Sequence, residues 1–349
     1  MPYLLAQEHN YLQMENYNLF LQELPNKFIK FENQSYRWLG GSNYLCIGAH
    51  PLFQQQLKTG ILKFPQNWGS SRANNIKFTL WDDLEIHFAE IYNHEQAALC
   101  TSGQLAGQTC LQVLGQLVPE FEVEVAPQTH PCLWPQKYYP THLTYNEWIQ
   151  SIKGIKNTIL VCDGIQTPFI EQRDLSWIKE LDASNVLIVD ESHRIGLLDI
   201  HLETPASLIQ IASLSKTYGI PAGIILGDHS MIEAIKKHSF WIGASPPSPS
   251  HCYAALNSRQ AYLEQKEKLS ELIKQFQKYT WKDIQVVNGH PSFASKKSNL
   301  FQLFKEKGFL LNHFPYPNPV DSPITRGIIH PLLHSKDLEE IIEIMNYEL

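Results

Sequence analysis

The sequence has no excess of positive charge, no Cys-x-x-Cys pair, no long apolar run and no repeat, and each absence removes a class of function. Lysine and arginine number 28 against 35 aspartates and glutamates, a formal net charge of −7, and the cations are scattered. Such a chain offers no electrostatic footprint for nucleic acid or for an anionic membrane. The six cysteines (Cys46, Cys100, Cys110, Cys132, Cys162, Cys252) lie far apart, several inside apolar stretches, so they read as reduced core thiols and no metal site is expected of them. No apolar run approaches membrane-spanning length, and Met1–Asn10 carries Glu8 without a basic region leading into an apolar one. A cytoplasmic protein with no nucleic-acid or membrane partner is therefore expected. Internal repeats and low-complexity segments are absent as well.

What is present is apolar surface and alternation. At 349 residues and 43% hydrophobic, the chain can build one large core and a smaller one without staples. Short apolar runs alternate with longer amphipathic segments, which predicts an α/β fold with a mainly parallel central sheet. The expected strands are Ala97–Cys100, Glu122–Val125, Thr158–Cys162, Val186–Asp190, Leu208–Ala212 and Gly223–Leu226. Leu105–Leu117, Leu175–Leu181 and Met231–His238 have helical spacing, and Ala254–Lys278 reads as a helix that leads out of the sheet. Beyond it, Asn299–Phe304, Leu310–Phe314 and Gly327–His330 read as short strands, and Lys336–Tyr347 as a terminal helix. The implied organisation is an N-terminal arm over 1–40, ending at Gly40-Gly41, a large domain over 41–245 and a small α/β C-terminal domain over 246–349.

Ligands of an open parallel sheet bind at the carboxyl ends of the strands, so polar residues that close apolar runs are the candidates for chemistry. Val186-Leu187-Ile188-Val189 closes in Asp190-Glu191-Ser192-His193, a carboxylate and an imidazole three residues apart. Asp190 read alone is equally well a structural cap. Ser213-Leu214-Ser215-Lys216-Thr217 sets a lysine among hydroxyls between the apolar runs Ile209–Ile211 and Ile224–Leu226, where burial favours imine chemistry over a solvated surface charge. Thr101-Ser102-Gly103-Gln104 joins a strand to a helix, and free amides beside a glycine at a helix N-terminus suit a phosphate. The acidic run at Asp190 also resembles the box of a helicase-type nucleotide triphosphatase. That machine needs a Gly-x-x-x-x-Gly-Lys-Ser/Thr loop upstream, whereas Lys216-Thr217 follows Ser215 and lies downstream.

Phosphate cradle, strand-end Asp190, His193 and hydroxyl-flanked Lys216, in that order, resemble the α-oxoamine synthase branch of the fold-type-I pyridoxal-phosphate enzymes. The resemblance spans nearly the whole chain: Ser42-Asn43-Tyr44-Leu45-Cys46-Ile47 before His50-Pro51 is similar to the family's Asn-Tyr-Leu-Gly segment, and Gly69-Ser70-Ser71-Arg72 to its glycine-rich loop. It implies pyridoxal 5'-phosphate held covalently on Lys216, with Asp190 at the ring nitrogen, His193 at the ring hydroxyl and His130 stacked on the ring. Ser102, Gly103, Gln104, Ser213 and Ser215 would hold the phosphate, with Ser245, before Pro246-Pro247, reaching the neighbouring subunit of a homodimer. Asn43 and Arg326 would bind the amino-acid substrate, Arg326 through its carboxylate. The catalytic set so implied is Lys216, His130, Asp190 and His193.

The sequence departs from the family pattern where Thr167-Pro168-Phe169-Ile170 replaces Ser-Met-Asp-Gly and Arg194-Ile195 replaces the Gly-Thr after the histidine. Both changes touch the acyl side of the site. The expected activity is condensation of a small amino acid with an acyl-CoA, with loss of carbon dioxide. The competing readings are an aminotransferase on the same fold and a non-catalytic cofactor-binding protein, the last disfavoured because a mere binder has no need of both Lys216 and Asp190.

Overall fold

The computed structural model describes residues 19–21, 24, 26–138, 140–297, 299–318 and 320–348, so residues 1–18 of the expected N-terminal arm lie outside the described residues. By packing, the described residues form two compact units, one of residues 47–166 and 172–263, the other of the described residues up to 46 with 167–171 and those from 264 on. Each has its own core.

The larger unit is built on a six-stranded sheet. Its strands are β1 (Gln96–Cys100), β2 (Glu122–Val125), β3 (Thr158–Asp163), β4 (Val186–Asp190), β5 (Ser207–Ser213) and β6 (Gly223–Gly227), in the order β1-β6-β5-β4-β3-β2. Strands β2 to β5 are mutually parallel, and β6 runs antiparallel to both β1 and β5. Five strands consequently point the same way, and their carboxyl ends line one edge of the sheet together with the start of β6.

Period-two alternation sorts these strands onto two buried faces. Ile159 and Val161 of β3 and Val186 and Ile188 of β4 join Ala106, Cys110, Val113 and Leu114 of helix α3 (Gly103–Leu117). The intervening Leu160, Cys162, Leu187 and Val189 pack on the opposite side with Trp148 of helix α4 (Tyr145–Ser151) and with Ile178. On that opposite side of β1, Ala97 and Leu99 meet Leu80, Leu84 and Phe88 of helix α2 (Thr79–Ile91), near helix α1 (Pro51–Lys63). Both faces being covered, β3, β4 and β6 read as nearly unbroken apolar runs, whereas β2 at the sheet edge alternates Glu-Val-Glu-Val.

The smaller unit holds two sheets. A hairpin, Phe28–Phe31 with Gln34–Trp38, pairs in parallel with Phe309–Leu310. A four-stranded antiparallel sheet runs Gln285–Val286, Ser292–Ser295, Pro323–Ile328, Asn312–Pro315, and Phe276, Phe293, Phe304 and Phe309 pack in its core with Ile341 and Met345 of the helix Ser335–Glu348.

Several elements differ from expectation. Residues 299–304 are helical, over Leu300–Glu306, because Leu300 and Phe304 are both fully buried one turn apart. Leu310–Phe314 is two strands in different sheets, broken at buried Leu311. The strand expected at Gly327–His330 starts earlier and spans Pro323–Ile328. Leu175–Leu181 supplies a single 3-10 turn, Ser176–Glu180. The long helix expected over Ala254–Lys278 is interrupted at Asn257-Ser258, giving Pro249–Leu256 and Arg259–Phe276.

Candidate active site

The carboxyl edge of the large sheet gathers the residues that the strand-end rule singles out. Gly223 is the register partner of both Cys100 and Ser213, Asp190 pairs with Ile211 on one side and with Asp163 on the other. The loops after β1, β3, β4 and β5 therefore open side by side.

Lys216 and His193 face each other there. Lys216 Nζ and His193 Nε2 are 2.9 Å apart, a hydrogen-bonding pair whose donor is set by the imidazole tautomer. His193 is buried, whereas Lys216 is half-buried and less enclosed than the flanking apolar runs imply. Asp190 is buried at 7% exposure. The Ser192 N–H donates to its Oδ1 at 2.8 Å and the Cys132 thiol donates to its Oδ2 at 3.1 Å.

Helix α3 begins at the same edge. Ser102 is its N-cap, with extended backbone and an Oγ that accepts from Leu105 N at 3.1 Å. The amides of Gly103 and Gln104 belong to the first turn, which has no intrahelical acceptors for them. Gly103 has to be glycine: a Cβ there would lie 2.8 Å from Ser213 Cβ. A Cβ on Gly223 would fall 2.2 Å from Ser102 O, so strand β6, strand β5 and the helix start close in on one another. Ser213 Oγ and Ser215 Oγ are 2.7 Å apart, and Ser213 N donates to Ser192 Oγ at 2.8 Å. Cradle, serines, lysine and aspartate thus form one continuous set.

His130 follows the loop after β2. Its N–H donates to Asp163 Oδ2 at 3.0 Å and Oδ1 at 3.3 Å, and its Nδ1 accepts from Cys132 N at 3.2 Å. Desolvation holds its imidazole below the usual range, Asp190 opposing and Lys216 reinforcing the shift. Burial, then the Asp190 charge, push the Cys132 thiol up, so it is a hydrogen-bond donor and not a reactive thiolate. One nitrogen of His130, Cys132 Sγ and one oxygen of Asp190 lie within 4.8 Å of one another, a donor set also able to ligate a cation. Next to Asp190, Glu191 is raised to about 7, because its burial outweighs Arg194 and Gln210; Arg194 Nη1 donates to it at 3.1 Å. The departure at Arg194 is therefore an internal ion pair of the large unit.

Ser245 is exposed. Its carbonyl lies 3.4 Å from Nη1 of Arg72, whose guanidinium stacks 4.2 Å from the Trp241 ring and donates to Leu99 O at 2.7 Å. Asn43 and Arg326 belong to the smaller unit. Asn43 is exposed, and Arg326 donates from Nη2 to Ser42 Oγ at 2.9 Å and Tyr44 Oη at 3.2 Å. Two residues of the edge are not among the site candidates the sequence offers: Asp163, and Cys132, which reads there only as a core thiol. Asp163 closes an apolar run just as Asp190 does, and the same rule finds it once Thr158–Cys162 is extended by one residue.

A lysine in contact with an imidazole, a buried carboxylate on the next loop and a serine-lined helix start at the carboxyl edge of a doubly covered sheet define a pyridoxal-phosphate transferase of fold type I. Residues 44–303 match the family described as aminotransferase class I and II, and the chain belongs to it. It is 24% identical over 321 residues to 5-aminolevulinate synthase of Rickettsia bellii, covering 79% of this chain and 75% of that one. It is 24% identical over 272 residues to a putative 8-amino-7-oxononanoate synthase of Thermodesulfovibrio yellowstonii, covering 72% and 69%. In structure it is similar to serine palmitoyltransferase of Sphingomonas wittichii, with a TM-score of 0.79 at 15% identity over 98% of this chain and 95% of that one. The 8-amino-7-oxononanoate synthase of Francisella tularensis superposes with a TM-score of 0.69 at 17% identity, over 90% and 97%. These neighbours share the fold. Among the described residues, no helix is long and apolar enough to cross a membrane.

Proposed function

We propose that this chain is an α-oxoamine synthase, similar to 8-amino-7-oxononanoate synthase, which joins a small amino acid to an acyl-CoA and releases carbon dioxide and CoA. The observation that carries the reading is the contact of Lys216 Nζ with His193 Nε2 on the loops beside buried Asp190, in a chain whose curated relatives over most of its length include two kinds of synthase.

The residues suit pyridoxal phosphate. A primary amine in reach of an imidazole, an anionic side chain held by two donors, and a glycine-tight helix start with two hydroxyls match an aldehyde, a ring nitrogen and a phosphate respectively. Lys216 would hold the group covalently, Asp190 its ring nitrogen, His193 its ring hydroxyl and His130 its face. Ser102, Gly103, Gln104, Ser213 and Ser215 would hold its phosphate, with Ser245 contributed across a homodimer. When bound, the cofactor supplies an electron sink for a carbanion at the substrate α-carbon.

The chain's own residues do the rest. With the group bound, the amine of Lys216 would be the base that takes the α-proton, and its contact with His193 fixes where that amine sits. The Ser192 N–H and the Cys132 thiol orient the Asp190 carboxyl group, which would face the ring nitrogen without having to reorient. Arg326 binds the substrate carboxylate, and Asn43 assists. With the group bound, a carbon–carbon bond would form from the substrate α-carbon to the acyl carbon as the carbon–sulfur bond breaks and CoA leaves as its thiolate; the carboxylate would depart as carbon dioxide, and the proton held on Lys216 would return to the α-carbon.

The test is a matrix of amino acids against acyl-CoA thioesters, read by free thiol and by carbon dioxide. Release of both in equal amounts, dependent on both substrates, is expected. Fast transfer of nitrogen to an added 2-oxo acid, with no thiol from any chain length, would replace the synthase by an aminotransferase.

A further inference from the structure

The loop after β2 and the end of β4 bring three different ligating atoms together. One ring nitrogen of His130, Cys132 Sγ and one carboxylate oxygen of Asp190 lie within 4.8 Å of one another, and among the described residues no other three such side chains meet. The set needs a single thiol, so the lack of a Cys-x-x-Cys pair does not exclude it. Cys132 Sγ is 3.1 Å from Asp190 Oδ2, and tetrahedral zinc ligands bound at about 2.0–2.3 Å stand about 3.5 Å apart. Thiol and carboxylate are therefore spaced for a common cation, and the imidazole has about 1 Å or less to travel. His130 is exposed and can make that movement, whereas Asp190 and Cys132 are buried, at 7% and 1% exposure. Nitrogen, sulfur and oxygen together suit Zn2+ over Mg2+ or Ca2+, which take oxygen alone.

The ligands are held from behind. Asp190 Oδ1 accepts from Ser192 N at 2.8 Å, which leaves Oδ2 turned to the thiol. The Cys132 carbonyl accepts from Gln108 Nε2 at 3.0 Å, and a Cβ on Gly107 would lie 2.4 Å from that oxygen, so helix α3 packs hard against the residue that carries the sulfur. Outer partners of this kind fix ligand orientation. The thiol proton now lies between Sγ and Oδ2; a cation in its place binds both atoms and sends that proton to solvent. Ligation also spends the one lone pair of the neutral imidazole, which Nδ1 now offers to Cys132 N at 3.2 Å. Asp190 attracts a cation here and Lys216 repels one, with Lys216 Nζ in contact with His193 Nε2 at 2.9 Å.

We propose that the cofactor-free chain binds one Zn2+ through His130, Cys132 and Asp190, with solvent as the fourth ligand, and that this cation and pyridoxal phosphate exclude each other. The exclusion rests on the reading of this edge as the cofactor site, which gives the same Asp190 to the ring nitrogen and the same His130 to the ring face. The metal site does not rest on it, because the placement of the three ligands carries it alone. Zinc is then an inhibitor of cofactor loading and not a metal of the reaction.

The experiment titrates Co2+, a spectroscopic stand-in for Zn2+, into the full chain freed of cofactor and metal. One equivalent bound, with a thiolate-to-cobalt absorption band that Zn2+ abolishes, is expected. Cys132→Ser should lose the band. His130→Gln, at an exposed position, should weaken Co2+ binding by more than the about 10- to 100-fold that follows loss of an outer partner. No band in wild type, a band that survives in Cys132→Ser, or an unchanged affinity in His130→Gln overturns the site; if Cys132→Ser does not fold, the wild-type band and His130→Gln decide. Zn2+ should also slow uptake of pyridoxal phosphate by the free chain, with a chelator restoring it, and protein loaded with the cofactor and reduced by borohydride should give no cobalt band. Reduced protein with a pyridoxyl group on Lys216 that still gives the band overturns the exclusion. Reduced protein with no pyridoxyl group on Lys216 overturns the cofactor reading and the exclusion with it, and the titration of the cofactor-free chain still decides the metal site.

Discussion

Adding one methyl group at Gly103 tests the cradle most directly. The new Cβ would sit 2.8 Å from Ser213 Cβ and 3.0 Å from Ser213 Cα and N, where carbon atoms prefer about 3.5–4.0 Å. No flexible side-chain tip can swing away. Ser213 is pinned by its ladder to Gly223 and by Ser192 Oγ, and the helix start by its Ser102 cap. The surfaces must part by close to ~1 Å, and overpacking of this kind costs about 1–3 kcal/mol. The parting also carries the Gly103 and Gln104 amides off the phosphate. Loss of one charge-assisted hydrogen bond, about 1.5–3 kcal/mol, corresponds to about 10- to 100-fold in affinity. Cofactor titration by tryptophan fluorescence, with thermal unfolding measured on cofactor-free protein, separates binding from packing. Gly115→Ala is the control: it lies in the same helix with nothing within 4 Å of its added Cβ, and should stabilise by about 0.5–1 kcal/mol. A Gly103→Ala protein that unfolds earlier yet binds pyridoxal phosphate as tightly as wild type would refute the phosphate role.

Other outcomes follow from the same geometry. Borohydride reduction and peptide mapping should place a pyridoxyl group on Lys216 and none on Lys216→Ala; label on a different lysine would relocate the site. Arg326→Ala should raise the KM for the amino acid about 10- to 100-fold, the worth of a charge-assisted carboxylate contact, with a smaller change in the KM for acyl-CoA; equal changes in both would remove the carboxylate role. In the smaller unit, burial would raise the Asp337 carboxyl, but Lys27 at 2.8 Å, the His334 N–H and Arg37 outweigh it and hold it down at about 2. A depressed carboxyl stabilises fully above its unfolded value, about 3.9, and loses that contribution as pH falls through about 2. Asp337→Asn should therefore destabilise the unit by about 1 kcal/mol at neutral pH and converge on wild type at the acid end; a pH-independent difference would contradict the ion network.

The candidate site was legible because both faces of the large sheet are covered. Continuous apolar strands end abruptly, and the residue that breaks each run stands at the edge where ligands bind; Asp190 and the Ser213–Lys216 loop stand out for that reason. Asp163 closes a run in the same way, one residue beyond the expected strand, but register is not legible: only the pairing with β4 makes that strand-end acid a neighbour of Asp190. In the smaller unit the signal degrades. Leu300, Phe301 and Phe304 fit a strand or a helix over so short a run, and packing chose the helix. In the larger unit, the break at Asn257-Ser258 has neither proline nor glycine to announce it. The helices at 51–63 and 79–91 carry no expectation from the sequence, although Pro51 at the first turn and His50 as a cap accepting from Leu52 N mark the first of them.

The hairpin of the smaller unit has a consequence for biosynthesis. Arg37 hydrogen-bonds Asp337 and Glu340 and stacks 3.8 Å from the Phe309 ring, while Phe309–Leu310 zips onto Arg37–Trp38. Partners about three hundred residues apart are needed before this unit exists at all, whereas the larger unit draws its sheet from residues 96–227. As the polypeptide leaves the ribosome, the hairpin waits for Phe309–Leu310 to emerge with Leu310's eventual neighbours Ile29 and Tyr36 unburied. That is a long window in which chaperones, or other nascent copies, can reach it.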